Sequence, residues 1–118
     1  MRPHHKLDVW KKSIDFVTKI YKLTSNFPEA EKFGLISQLR RASVSIPSNV
    51  AEGAARGSQK EFRNFLSIAQ GSAAEVETQL IISNKLEYLS NDNFNEVLTQ
   101  LDDISKMLIG LRKSLYSR

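Results

Sequence analysis

The sequence predicts an all-α protein, an antiparallel up-down four-helix bundle whose second helix is kinked by a proline. Three observations support this prediction. Apolar residues recur at spacings of three and four along four long segments, no segment alternates as a strand does, and the connections are short, which favours antiparallel neighbours. At 118 residues the chain is expected to form one domain, residues 1–118, whose first six residues are flexible.

The first helix is predicted to run from about Leu7 to Ser25, and it carries two apolar stripes on nearly opposite sides. One stripe comprises Leu7, Trp10, Ile14, Val17 and Tyr21, and the other comprises Val9, Phe16, Ile20 and Leu23. A helix in an isolated bundle needs only one such stripe to face the core. The extra stripe therefore predicts a further partner surface, and the simplest one is another copy of the chain.

The second helix is predicted to begin between residues 31 and 34 and to continue across Pro47, where the missing N–H and the ring favour a kink. Polar residues line one edge of its buried face at spacings of three and four: Gln38, Arg41, Ser45, Asn49 and Glu52, followed by Arg56. Buried polar groups are unfavourable unless they are paired. We interpret these residues as a structural polar seam, paired within one protomer or between protomers.

The third helix is predicted to begin after Ser58, because Ser58 and Glu61 have the spacing of a helix-capping pair. Apolar residues at helical spacing continue from Phe62 to Leu80. A polar turn at residues 90–93 offers several N-caps for the fourth helix, whose apolar stripe continues to the end of the chain.

The residues that usually carry catalysis are scarce in this sequence. It has no cysteine, and His4 and His5 are its only histidines. It contains neither a Glu-x-x-His pair that would place metal ligands inside a bundle nor a phosphate-binding P-loop. Glu52, Glu75 and Glu77 are potential cation ligands, but pairing with arginines of the polar seam explains such acids more simply. We therefore expect a protein that is not an enzyme and has no metal and no cofactor.

The basic residues offer candidate contacts for nucleic acid. The formal net charge is +4, and residues 1–25 carry six Lys/Arg against two Asp. The candidates are Lys11, Lys12, Lys19 and Lys22 of the first helix, followed by Arg40, Arg56 and Arg63. An ordinary solvated helix face is the other interpretation of the lysines. Because the nearby aromatic residues belong to the apolar stripes, binding would be directed at the backbone and sensitive to salt.

The expected compartment is the cytoplasm, with no membrane partner. No apolar stretch approaches the length of a membrane span, and the N-terminal residues lack the apolar segment of a secretory signal.

Several blocks of the sequence together resemble a known bacterial family. They are LDVW at 7–10, Tyr21, FP at 27–28, GL at 34–35, QLRRA at 38–42, SIP at 45–47, NVAEG at 49–53, Arg56, Ser58, EF at 61–62, FL at 65–66, Ala69, GS at 71–72 and Glu75. These blocks are similar to the four-helix-bundle proteins encoded within intervening sequences of bacterial 23S ribosomal RNA genes. The resemblance is strong over residues 7–90 and rests on pattern alone in the last helix.

The resemblance implies a homopentamer. It also implies a fold similar to that of the accessory protein of diversity-generating retroelements, a basic pentamer that binds nucleic acid. The expected function is therefore a non-enzymatic homo-oligomer that binds RNA or DNA backbones through basic surfaces, by analogy of fold. The alternative is a protein–protein interaction scaffold that has a protein partner and no nucleic-acid role.

Overall fold

Four helices form the bundle in the computed structural model, which describes residues 2–116. The helices are α1 (Asp8–Thr24), α2 (Leu35–Ala54), α3 (Gln59–Lys85) and α4 (Asn91–Ser114), with 3-10 helices at Pro3–Lys6 and Glu29–Glu31. Helices that follow one another are in contact and α4 closes against α1, whereas the diagonal pairs lie farther apart. No strand occurs among the described residues, and the predicted all-α, four-helix fold is confirmed.

The core uses mainly one side of α1. The stripe that contains Val9, Phe16 and Ile20 is buried and belongs to the hydrophobic core that all four helices share. The opposite stripe stays at the surface in part, with Ile14 41% and Tyr21 43% exposed. Therefore α1 has two apolar sides. Its own bundle buries one of them and covers the other only in part, since Leu7 and Trp10 pack against the edge of the core.

Serine hydroxyls fix the starts of α3 and α4. The Oγ of Ser58 accepts a hydrogen bond from the backbone N–H of Glu61 at 3.1 Å, which is one of the two bonds that the predicted capping pair would form. The Glu61 carboxylate instead lies near the Ser58 hydroxyl and Arg56. The Oγ of Ser90 accepts one from the N–H of Asn93 at 3.2 Å. Each bond satisfies one of the N–H groups that a helix start leaves without an intrahelical acceptor.

Replacing Ser58 by alanine is expected to lower the free energy of unfolding by about 1 kcal/mol, because the N–H of Glu61 loses its acceptor. Replacing Ser58 by glycine is expected to cost only a few tenths of a kcal/mol, since glycine leaves that N–H open to water. Urea denaturation of both variants measures the two losses. Equal losses would contradict the capping role of the hydroxyl.

Glu31 secures the start of α2, which begins at Leu35. The Oε1 of Glu31 accepts a hydrogen bond from the backbone N–H of Leu35 at 3.2 Å. Its Oε2 accepts one from the hydroxyl of Tyr88 at 3.3 Å. Partial burial and the negative charge of Glu31 raise the pKa of the Tyr88 hydroxyl above its usual value. These bonds tie the α1–α2 connection to the segment after α3.

Pro47 lies inside α2, which continues across it to Ala54. Pro47 is buried, and it has no N–H to donate to the preceding turn. A kink at this residue stays a prediction. The flexibility of residues 1–6 also stays a prediction, and Pro3–Lys6 form a short 3-10 helix.

Candidate functional surfaces

The lysines of α1 form the first candidate surface. Lys11, Lys12 and Lys22 are exposed and have no ion-pair partner within residues 2–116. Lys19 differs, because its ammonium lies 2.8 Å from a carboxylate oxygen of Glu96 on α4. Three of the four candidate lysines therefore present ammonium groups that a polyanion could neutralise.

Two candidate arginines bind inside the protomer. The Nε of Arg40 donates to the Oγ1 of Thr24 at 2.9 Å, and its Nη2 donates to the carbonyl oxygen of Tyr21 at 3.2 Å. The Nη2 of Arg56 lies 2.8 Å from a carboxylate oxygen of Glu52. Arg40 thus joins α2 to the last turn of α1, and the charge of Arg56 is partly neutralised.

Arg63 brings a cation and an aromatic ring together where α3 meets the end of α4. Its Nη1 donates to the carbonyl oxygen of Leu115 at 3.3 Å. Its guanidinium lies over the ring of Tyr116, 4.2 Å from the ring centre. Tyr116 is 62% exposed. This arrangement differs from the α1 lysines, whose neighbouring aromatic residues belong to the apolar stripes.

The middle of the polar seam joins α2 to α3. The Oγ of Ser45 lies 2.8 Å from the Oγ of Ser72. The Nδ2 of Asn49 donates to both the carbonyl oxygen and the hydroxyl of Ser45, at 2.7 and 2.9 Å. The seam therefore contains hydrogen bonds within one protomer, both along α2 and across to α3.

The residues at the N-terminal end of the polar seam line a polar groove of ≈ 510 Å³ between α2 and α3. It is lined by Gln38, Arg41, Ala42, Ser45 and Glu75. The side chains of Gln38, Arg41 and Glu75 form no hydrogen bond or ion pair with the rest of the described chain. The position of Glu75 in the same groove as Arg41 is not visible in the sequence, because periodicity does not give the axial alignment of two helices.

An apolar groove of ≈ 580 Å³ runs between α1 and α2, on the other side of α2. It is lined by His4, Trp10, Ile14, Val17, Thr18, Tyr21, Val44, Pro47, Ser48 and Ala51. The α1 wall is the stripe for which the sequence predicts an additional partner. The sequence gives little indication that α2 contributes to this groove, because Val44 is an isolated apolar residue between two serines.

His4 lies at one end of the apolar groove. Its ring is 4.9 Å from the ring of Trp10. Burial, together with the charges of His5 and Arg2, lowers the pKa of His4 below its usual value. Within residues 2–116, no three His, Asp or Glu side chains are grouped so that they could share a metal ion.

The fold and the surfaces define a class of protein: a small all-α bundle with an apolar groove and a polar groove on either side of its second helix. No helix in the described part of the chain is long and apolar enough to cross a membrane. The chain matches the model of the 23S rRNA-intervening sequence protein family over residues 5–110. It belongs to this family, and the resemblance seen in the sequence is confirmed.

A solved structure shares the fold. It is the crystal structure of a protein of unknown function from the S23 ribosomal protein family of Bacteroides thetaiotaomicron. The two chains are 30% identical, the match covers 89% of this chain and 98% of that chain, and the TM-score is 0.80. A comparison with curated proteins gives no match.

Proposed function

We propose that this protein is a cytoplasmic, non-enzymatic homo-oligomer, a pentamer, that binds RNA or DNA backbones through basic surfaces. One observation carries the proposal: α1 combines a partly uncovered apolar stripe with exposed lysines that have no ion-pair partner within residues 2–116. The stripe supports assembly, and the lysines support binding of a polyanion.

A second apolar surface supports a ring. Ile68, Ile82 and Leu86 are 51%, 42% and 49% exposed on α3, and their spacing places them on one side of that helix. This side is distinct from the apolar groove between α1 and α2. Two different surfaces that contact each other between copies form a heterologous interface, and such an interface closes into a ring when the rotation permits.

The polar groove supports the same assembly. Arg41 and Glu75 carry opposite charges in one groove without a partner inside the described chain. In an assembly, a neighbouring copy would supply the groups that pair with Arg41 and Glu75. This corresponds to the interpretation in which the polar seam is paired between protomers. The hydrogen bonds of Ser45 and Asn49 would then be the part of the seam within one protomer.

Assembly would also strengthen the field of the lysines, because a ring repeats Lys11, Lys12 and Lys22 in every protomer. The ammonium groups are suited to phosphate oxygens, and each phosphate contact releases condensed counterions. Binding is therefore expected to weaken steeply as salt rises and to depend little on base sequence.

Replacing Lys11, Lys12 and Lys22 together by glutamine is expected to weaken binding of a structured RNA and to reduce its salt dependence. The slope of log K against log salt should fall by about one per lysine that contacts a phosphate. Fluorescence anisotropy over a series of salt concentrations measures both effects. A matched control replaces Lys32, Lys85 and Lys106 by glutamine. These lysines are exposed on other parts of the bundle, so the control should keep most of the affinity for the RNA.

Two results would contradict the nucleic-acid proposal. One is the absence of RNA binding by the wild-type protein at low salt, and the other is binding that does not weaken as salt rises. If the α1 variant and the control variant lose affinity equally, the α1 lysines are not the contact surface.

The second candidate function is a protein–protein interaction scaffold. The apolar groove favours it, because Trp10 and Ile14 form a concave surface suited to apolar side chains of another protein. A scaffold would keep its protein partner when the three α1 lysines are replaced, since the charge would serve solubility. A nucleic-acid binder would lose its ligand in the same variant.

A further inference from the structure

One end of the bundle is rich in positive charge, and three separate segments of the chain form this end. Because the helices are antiparallel, the start of α3 lies beside the ends of α2 and α4, as the hydrogen bond from Arg63 to Leu115 illustrates. Residues 2–6, 52–63 and 110–116 contain seven Lys/Arg and two Glu, whereas residues 7–51 and 64–109 contain nine Lys/Arg and eleven Asp/Glu. The end is therefore basic and the remainder of the described chain is slightly acidic.

Within this end, the α3/α4 corner has the groups of a binding surface. A groove of ≈ 250 Å³ is lined there by Gln70, Ile109, Arg112, Lys113 and Tyr116. The Nε of Arg112 and the Oε1 of Gln70 are shielded from solvent and have no hydrogen-bond partner in the described chain. A buried polar atom without a partner is unfavourable. Rotation of either side chain towards the groove would expose these atoms to a ligand that supplies the missing partners.

The corner also places an aromatic ring among the cations. Tyr116 is 62% exposed, and the guanidinium of Arg63 lies 4.2 Å from its ring centre. Two further exposed cations belong to the same end of the bundle: Lys60 in the first turn of α3 and Lys113 in the last turn of α4. Exposed aromatic rings between basic side chains are typical of surfaces that bind single strands, because bases stack on the ring while phosphates contact the cations.

We propose that the α3/α4 corner binds single-stranded RNA or DNA, with a base on the ring of Tyr116 and the flanking phosphates against Arg112 and Lys113. This inference rests on the proposed function and refines it, since the α1 lysines alone would not distinguish a single strand from a duplex. The bases of a duplex are stacked on one another and are not available to Tyr116. The corner therefore gives the protein a preference for single strands.

The test compares a labelled single-stranded oligonucleotide with the duplex of the same sequence by fluorescence anisotropy at low salt. Tyr116→Leu is expected to weaken single-strand binding about tenfold, the effect of losing one stacked base, and to leave duplex binding unchanged. Arg112→Gln with Lys113→Gln should weaken binding of both ligands. The matched control, Lys32→Gln with Lys85→Gln, makes the same charge change at the opposite end of the bundle and should bind both ligands nearly as the wild type does.

The outcomes separate this inference from the proposed function. Equal wild-type affinity for the single strand and the duplex overturns the corner site, as does a Tyr116→Leu variant that binds the single strand as the wild type does. Either result leaves the α1 lysines as the contact surface. Failure of the wild type to bind either ligand overturns the proposed function itself. If circular dichroism shows that Tyr116→Leu is unfolded, the Lys113→Glu variant tests the corner site in its place, since the side chain of Lys113 is exposed. This variant should weaken binding of the single strand at least as much as the double glutamine variant does, and unchanged binding overturns the corner site.

Discussion

Gly53→Ala is expected to lower the free energy of unfolding by about 1–2 kcal/mol, although alanine is the better helix former. A Cβ at this position would lie 2.7 Å from the Cβ of Phe65 and 3.0 Å from the Cδ1 of Phe62. Both phenylalanines belong to α3, so α2 and α3 pack closely at this glycine. The added methyl group would force the helices apart, and overpacking of this kind costs about 1–3 kcal/mol.

The control for this prediction is Gly110→Ala in α4. A Cβ at Gly110 would meet no atom within 4 Å, so the substitution is expected to stabilise the protein by about 0.5–1 kcal/mol through helix propensity alone. Urea denaturation of the two variants should therefore give changes of opposite sign. Stabilisation by both substitutions would show that α2 and α3 are not in close contact at Gly53.

Replacing Ile14 and Val44 together by aspartate is expected to reduce the protein from an assembly to single chains. The two side chains are 41% and 37% exposed in the protomer, so the fold should tolerate the change with little loss. In an assembly that covers the apolar groove, the same substitutions would bury two carboxylates without partners, which is strongly unfavourable. Sedimentation velocity measures the loss of assembly.

The matched control for this double variant is Ile81→Asp. Ile81 is 39% exposed, but it lies on α3, outside the apolar groove. It is also about 100° around the helix from Ile82, away from the side that carries Ile68, Ile82 and Leu86. This variant should sediment as the wild-type protein does. An Ile14/Val44 double variant that keeps the wild-type sedimentation coefficient would exclude the groove as the interface.

Helix periodicity and local capping explain why much of the fold was predictable. The apolar spacing predicted four helices, and Ser58 marks the start of α3 because a cap depends on residues only three apart. The resemblance in QLRRA, SIP and NVAEG identified the family. The two-sided character of α1 was also visible in the sequence, but the sequence did not say which of its stripes faces the core.

The remaining features depend on the alignment of helices that lie far apart in the chain. Periodicity gives the angle of a residue around its own helix and leaves the relative height of two helices open. Glu75 beside Arg41 and the placement of Tyr116 under Arg63 are of this kind. The role of Gly53 is another example, because only the packed pair of helices shows that a side chain does not fit there.

For the candidate nucleic-acid residues as well, the sequence predicts the residue types but not their partners on other helices. The sequence identified the basic residues by type and number, but it did not reveal that Lys19 pairs with Glu96 on α4. Nor did it reveal that Arg40 binds Thr24 across the α1–α2 contact. Along the sequence the excess of positive charge lies in residues 1–25. The basic end of the bundle is visible only in the fold, because it brings together three segments that are distant in the chain.

Self-assembly is central to the proposed function, since the partly uncovered side of α1 supports it most directly. The most direct measurement is the mass of the wild-type protein in solution, determined by light scattering at micromolar concentration. The expected result is a pentamer, with five times the 13.4 kDa mass of one chain. A mass equal to that of one chain at this concentration would contradict it.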